Sequence, residues 1–335
     1  MSVSTEGRPL PGAPGDGAHS APARRRGRIG RWIKIAFLVA AMGAGVWYVL
    51  ANWQESAPAL ARIGWFSAIA SIIPAAGAMT AAMLTWRRLL ADLGSPLPMR
   101  PAGRIFFASQ LGKYLPGSVW TMMAQIELGR DLKVPRSVSF ATGIVSVVLS
   151  LTVGLCVAIV LVPFAAGQAL ADFWWIWSVV PILLVGLHPR VITWGTNLVL
   201  RTLRRSPLTV EPTLRGTLDA AGWQLLSWLL LGLHCYILVR AVGGHGWAIL
   251  PLSIGGFAFA YCAGLLFIPA PAGAGVRELA LGAALVTAIP SKSAIAVVIV
   301  SRLALAVTDL GMAVAWPGRR PRRQRRNTPA RKHEE

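Results

Sequence analysis

The sequence predicts an all-α polytopic membrane protein, with about eight transmembrane helices and one or two broken or re-entrant segments. Three observations carry this expectation. Hydrophobic residues fill 55% of the 335 positions and charged residues only 14%, an apolar load that a soluble fold rarely hides. The apolar residues gather into runs near the ~20 residues that one helical crossing needs. The charges, net +20, gather in the two tails and in a few internal loops.

Taken in order, residues 1–31 form a basic tail, and its first 23 positions are rich in Pro, Gly, Ala and Ser, a composition that favours disorder. The first crossing is WIKIAFLVAAMGAGVWYVLANW, 32–53. A signal peptide is the alternative there; the long apolar run without a small-residue cleavage site favours a retained helix. The second crossing is 63–86, closed by Arg87 and Arg88, and the third is 138–163. Trp174, Trp175 and Trp177 open the fourth, which ends near Leu187, before His188-Pro189-Arg190. The fifth runs over 220–239 and the sixth from Trp247 to Pro269. A short apolar segment, 278–289, precedes the last crossing, 294–316. Residues 32–316 are thus the membrane domain and 317–335 a second basic tail.

Basic loops orient this map. Arg87, Arg88, Arg100, Arg104, Arg130, Lys133 and Arg136 fall between crossings two and three, and Arg201, Arg204, Arg205 and Arg215 between four and five. The linkers 164–172 and 240–246 hold one arginine between them. The positive-inside rule then places both termini in the cytoplasm, with charge parity favouring eight crossings. That parity requires 278–289 to cross, although 12 residues reach only about 18 Å. The tails are suited to anionic lipid. Neither holds a folded reader, so nucleic acid is not an expected partner.

Two stretches do not fit a plain crossing. Between basic flanks, SQLGKYLPGSVWTMMAQ (109–125) is apolar but broken by Pro116 and Gly117. Pro116 removes a backbone donor and biases its neighbour away from the helix, and Gly117 permits a reversal. Two half-helices that dip into the membrane fit the pattern, as does an amphipathic pair on its surface. The second stretch is CAGLLFIPAPAGAGVREL, 262–279. Pro269 and Pro271 stop a helix, Gly273 and Gly275 allow close backbone packing, and Arg277 and Glu278 open the next apolar run. Their charges could neutralise each other. Arg302 and Asp309 lie seven residues apart, on one face of the last helix. Intramembrane charges of this kind usually face protein or water and serve a pathway.

Cys156, Cys235 and Cys262 lie within apolar segments and read as small core residues. His188 and His234 are too isolated for an acid–base pair. No phosphate loop, zinc spacing or nucleophile elbow occurs, so no metal, cofactor or catalytic set is expected.

The chain resembles the lysylphosphatidylglycerol synthase transmembrane, or flippase-like, family over roughly 32–316. The likeness rests on SQLGKYLPGSVW with ELGR after it, on HPR followed by NLVLRTLRRSPL, and on PAPAGAGVRE. Pro271, Gly273, Gly275, Arg277 and Glu278 match the family's Pro-x-Gly-x-Gly-x-Arg-Glu pattern, and the following helix around Arg302 looks typical. The resemblance implies a lipid-moving membrane scaffold in a bacterial cytoplasmic membrane. Some relatives carry a soluble aminoacyltransferase domain; the 19 residues after 316 leave no room for one, so an enzyme is not expected.

The expected function is therefore binding or translocation of a phospholipid, anionic or aminoacylated, or of a lipid-linked substrate. The alternative is a non-catalytic accessory protein for an envelope-biosynthesis enzyme. Lys113, Arg277 and Arg302 are candidate phosphate contacts, with Glu278 and Asp309 balancing charge. Tyr114 and Trp120 are candidates for the headgroup level, and Pro116, Gly117, Pro271, Gly273 and Gly275 for the turns that shape the route.

Overall fold

The computed structural model describes residues 53–114, 120–166, 175–202, 207, 210–267, 273 and 275–316. These are all-helical, with no strand among them. Ten α-helices follow in order: α1 (Trp53–Asp92), α2 (Met99–Gln110), α3 (Trp120–Arg130), α4 (Arg136–Ala166), α5 (Val179–Gly186), α6 (Pro189–Thr202), α7 (Leu214–Ala241), α8 (Ile249–Leu266), α9 (Val276–Leu285) and α10 (Ser291–Ala315). A 3₁₀ turn, Leu111–Tyr114, extends α2.

Five helices, α1, α4, α7, α8 and α10, are long and apolar enough to cross a membrane. Each overlaps a predicted crossing. The fourth predicted crossing has a different form. Trp175–Gly186 and Pro189–Thr202 are bent by 78° at a short break, a broken span or re-entrant element that raises the possible crossings to six. The segment 278–289 yields α9, whose 10 residues reach only about 15 Å. The described residues therefore do not reach the count of eight. The first predicted crossing, up to residue 52, lies outside them, as do Pro116, Gly117, Pro269 and Pro271.

Helix α1 packs along α7, and α4 along α8, with α10 against α1. One core joins α1, α7, α8, α9 and α10 through residues such as Ile63, Leu238, Phe257, Leu285 and Val297. A second places Leu149 and Val153 of α4 against Trp228 of α7 and Cys262 of α8. A third folds α2 onto α1 through Phe106, Phe107 and Trp86. Because lipid offers apolar surface too, packing rather than burial from water must hold such helices, and small residues let backbones approach. Gly232 is such a point, since a Cβ there would lie 2.4 Å from Ile254 Cα.

The ends are tied by polar contacts. Asp92, closing α1, accepts hydrogen bonds from Thr213 N at 2.7 Å and Thr213 Oγ1 at 2.8 Å. Thr213 in turn caps α7 by accepting from Gly216 N at 2.9 Å. Arg88 pairs at 3.0 Å with Asp219, in the first turns of α7. Gln224 of α7 donates to Ser150 Oγ of α4 at 3.2 Å.

Candidate functional site

The helices enclose a chamber of about 270 Å³, walled by α1, α4, α7, α8 and α10 and reached by the α2–α3 segment and the start of α9. Its wall is mixed. Methyl and aromatic groups from Ala78, Met79 and Trp228 alternate with Ser150, Gln125 and Gln224. Lys113, Tyr114, Arg277, Arg302 and Asp309 all line it. Positions up to 196 residues apart in sequence thus meet in one space.

Two interrupted segments deliver these groups. The first is α2, its 3₁₀ turn and α3. A Cβ on Gly112 would lie 2.8 Å from Thr121 N, so the chain has turned back on itself between them. The arms pack on each other and α2 also packs on α1. Lys113 and Tyr114 are thereby carried to α10. Lys113 Nζ stands 2.6 Å from Asp309 Oδ2, and Tyr114 Oη donates to the same oxygen at 2.5 Å. Asp309 is only 4% exposed, so its charge is screened by these partners rather than by water.

The second segment joins α8 to α9. Gly273, at φ +68°, lies against Gly264 so closely that a Cβ on it would meet the Gly264 Cα at 2.6 Å. Gly275, at φ +84°, then starts α9 in a conformation that glycine adopts without strain. Its N–H donates to Glu278 Oε2 at 2.7 Å, and the carboxylate sits at the positive end of the helix. The other oxygen, Glu278 Oε1, meets Arg302 Nε at 3.2 Å.

Arg277 is held differently. Its guanidinium lies 4.9 Å from the Phe257 ring centroid and 4.8 Å from that of Tyr261. Both rings are on α8, one turn apart, and their faces attract the cation. Tyr261 is set by an edge-on contact with Trp228 at 5.2 Å, and the Trp228 indole donates to Ser150 O at 3.2 Å. Glu278 makes no direct ion pair with Arg277: its oxygens contact Arg302 and its own helix start, and its charge reaches Arg277 only through space. Among the described residues of this site, both carboxylates, Asp309 and Glu278, have a cation, and Arg277 has no ion-pair partner. Three cations (Lys113, Arg277, Arg302) against two carboxylates (Asp309, Glu278) leave one positive charge.

The other candidates separate. Trp120 heads α3 at 45% exposure and does not line the chamber, where Thr121 and Met122 take its place. Glu278 lines a small side pocket with Arg277 and Arg302. Gly273 and Gly275 shape the backbone, while Pro116, Gly117 and Pro271 fall outside the described residues.

Sequence reasoning missed several wall residues. Gln125, Ser146, Ser150 and Tyr261 sit inside ordinary-looking helical runs, and only their polarity within an apolar context marked them. His234 was set aside as isolated, and the structure shows why it is there. It is fully buried, its Nδ1 is 2.9 Å from Ser71 O and its Nε2 is 2.9 Å from Ser301 Oγ. A carbonyl can only accept, so the proton belongs on Nδ1, and Nε2 accepts from the serine. His234 thus clips α1, α7 and α10 together beside Arg302.

A family model described as the lysylphosphatidylglycerol synthase TM region matches residues 31–310. No curated protein matches the chain.

Proposed function

As a multi-pass membrane protein that belongs to the lysylphosphatidylglycerol synthase transmembrane family, the chain has a lipid-related setting, and we propose that its chamber receives the headgroup of an anionic or aminoacylated phospholipid or lipid-linked substrate and passes it between leaflets. The observation that carries this reading is the charge left over at Arg277. A guanidinium held between two rings, with the neighbouring carboxylates already engaged, is a ready partner for a phosphate oxygen.

Size supports a headgroup rather than a whole lipid. At about 270 Å³ the chamber lies just below the ~300–1,000 Å³ of sites that hold drug-sized ligands. Such a space holds a phosphate and a few polar atoms, leaving acyl chains to the bilayer. Gln110, Gln125, Gln224 and Ser150 offer hydrogen bonds that no single headgroup shape monopolises. The reading assigns no bond-making chemistry to the chamber. It places the protein in a bacterial cytoplasmic membrane with both termini inside, as the basic loops favour.

The test is leaflet exchange. The purified protein is reconstituted in liposomes carrying labelled anionic, aminoacylated and zwitterionic lipids. Exchange should exceed that of protein-free vesicles and fall when Arg277 is replaced by Gln. Exchange no faster than in protein-free vesicles, with headgroup binding retained, would instead favour an accessory role beside an envelope enzyme.

A further inference from the structure

Helix α6 lies away from the chamber, and its two faces differ. Ile192, Thr193, Thr196 and Leu200 are buried against the bundle. The opposite face exposes Val191 (40%), Trp194 (68%) and Leu198 (51%), with Arg190 and Arg201 exposed along one edge. At 100° per residue the arginines, eleven positions apart, fall within about 20° of each other, and the apolar stripe lies beside them.

This arrangement decides how α6 meets the membrane. Eleven residues span roughly 16 Å along a helix. An upright α6 would carry one exposed arginine about that much deeper than the other, far into hydrocarbon, where charge is costly. Laid flat, both arginines reach headgroups while Trp194, Leu198 and Val191 enter the acyl boundary. The 78° bend after α5 supplies the turn, with Pro189 in the first helical position, where its missing N–H costs nothing. In sequence, Arg204, Arg205 and Arg215 follow α6 closely.

We infer that α6 is an interfacial helix that binds anionic phospholipid headgroups along its Arg190–Arg201 edge, at a site separate from the chamber. In the bent α5–α6 pair, α5 then leads the chain back toward the end of the bundle where Asp92 meets Thr213, and α6 lies along the surface there. The occupant is the anionic lipid surface: the two arginines supply complementary charge, and the apolar stripe gives depth without a deep groove.

The test uses the whole protein in vesicles of phosphatidylcholine with or without phosphatidylglycerol. A nitroxide is attached at Leu198→Cys in a background with Cys156, Cys235 and Cys262 replaced by Ala. Oxygen should reach it in preference to a water-soluble nickel chelate. In the unmodified protein, phosphatidylglycerol with a photoreactive headgroup should label 189–202 more than a phosphatidylcholine probe does. Arg190→Gln with Arg201→Gln should lower that labelling at least about fivefold, since each arginine at an anionic surface contributes roughly that factor. Preference for nickel, spin broadening from a second copy on this face, or equal labelling by both lipids would each overturn the inference. Leaflet exchange is not the readout, so failure here leaves the chamber reading standing, and the reverse holds.

Discussion

Replacing Arg277 with Gln removes the charge that the chamber leaves unmatched. Three cations against two carboxylates become two against two, and the net charge of the site falls from +1 to zero. Truncating one member of a hydrogen-bonded charge pair costs about 2–5 kcal/mol in binding. The lower end applies, because Arg277 is partly accessible and Lys113 and Arg302 remain nearby. About 2 kcal/mol is roughly a 30-fold loss of affinity. The assay is equilibrium binding of a short-chain phosphatidylglycerol to the detergent-solubilised protein. The variant also loses contacts with Phe257 and Tyr261, worth about 0.5–2 kcal/mol of stability, so its melting temperature is measured alongside. Arg277→Lys keeps charge but not the flat fork, and should fall between the two. A folded Arg277→Gln that binds within threefold of the parent would refute the reasoning.

Other outcomes follow from the same geometry. Lys113→Ala and Asp309→Ala, alone and together, should show coupling of about 1–3 kcal/mol in a double-mutant cycle read by thermal denaturation, the value held down by the one-third exposure of Lys113. Glu278→Gln should keep the Gly275 contact and weaken only the Arg302 pair, while Glu278→Ala loses both, so Ala should melt lower by the equivalent of about 1 kcal/mol. Gly273→Ala should give little folded protein by size-exclusion chromatography, because a Cβ there meets the backbone of Gly264 and φ +68° costs a further ~1–2 kcal/mol. Asp92→Ala should lower the melting temperature through two lost bonds to Thr213, each worth roughly 1 kcal/mol or more, without changing headgroup binding.

Much of the fold could be read from residues because lipid imposes a simple demand: long apolar helices with charges at their ends. Residues 63–86, 138–163 and 220–239 lie inside observed helices, and 294–316 overruns α10 by one residue. The bend at the fourth crossing could not be read, because Val179–Gly186 is fully apolar, while Pro189–Thr202 reads as an ordinary basic loop until its faces are separated. In the site, charges within apolar runs pointed to Lys113, Arg277, Arg302 and Asp309, all of which meet. Their pairing could not be read, because adjacency in sequence suggested Arg277 with Glu278. A helix sends consecutive side chains about 100° apart, so the partner of Glu278 came from α10, 24 positions on. Trp120 lies outside the chamber, which Thr121 lines instead.

Helix α10 meets the two interrupted segments with opposite signs. It offers a carboxylate, Asp309, to the cation of the first and a cation, Arg302, to the carboxylate of the second. The two positions are seven residues apart, about 10 Å along the axis. A slide of two turns that brought Asp309 level with Glu278 would set two carboxylates together away from water, a costly encounter. The pairs therefore act as a keyed register for α10 during assembly: among featureless apolar helices, which slide past one another at small cost, this one has a single depth at which both charges are answered.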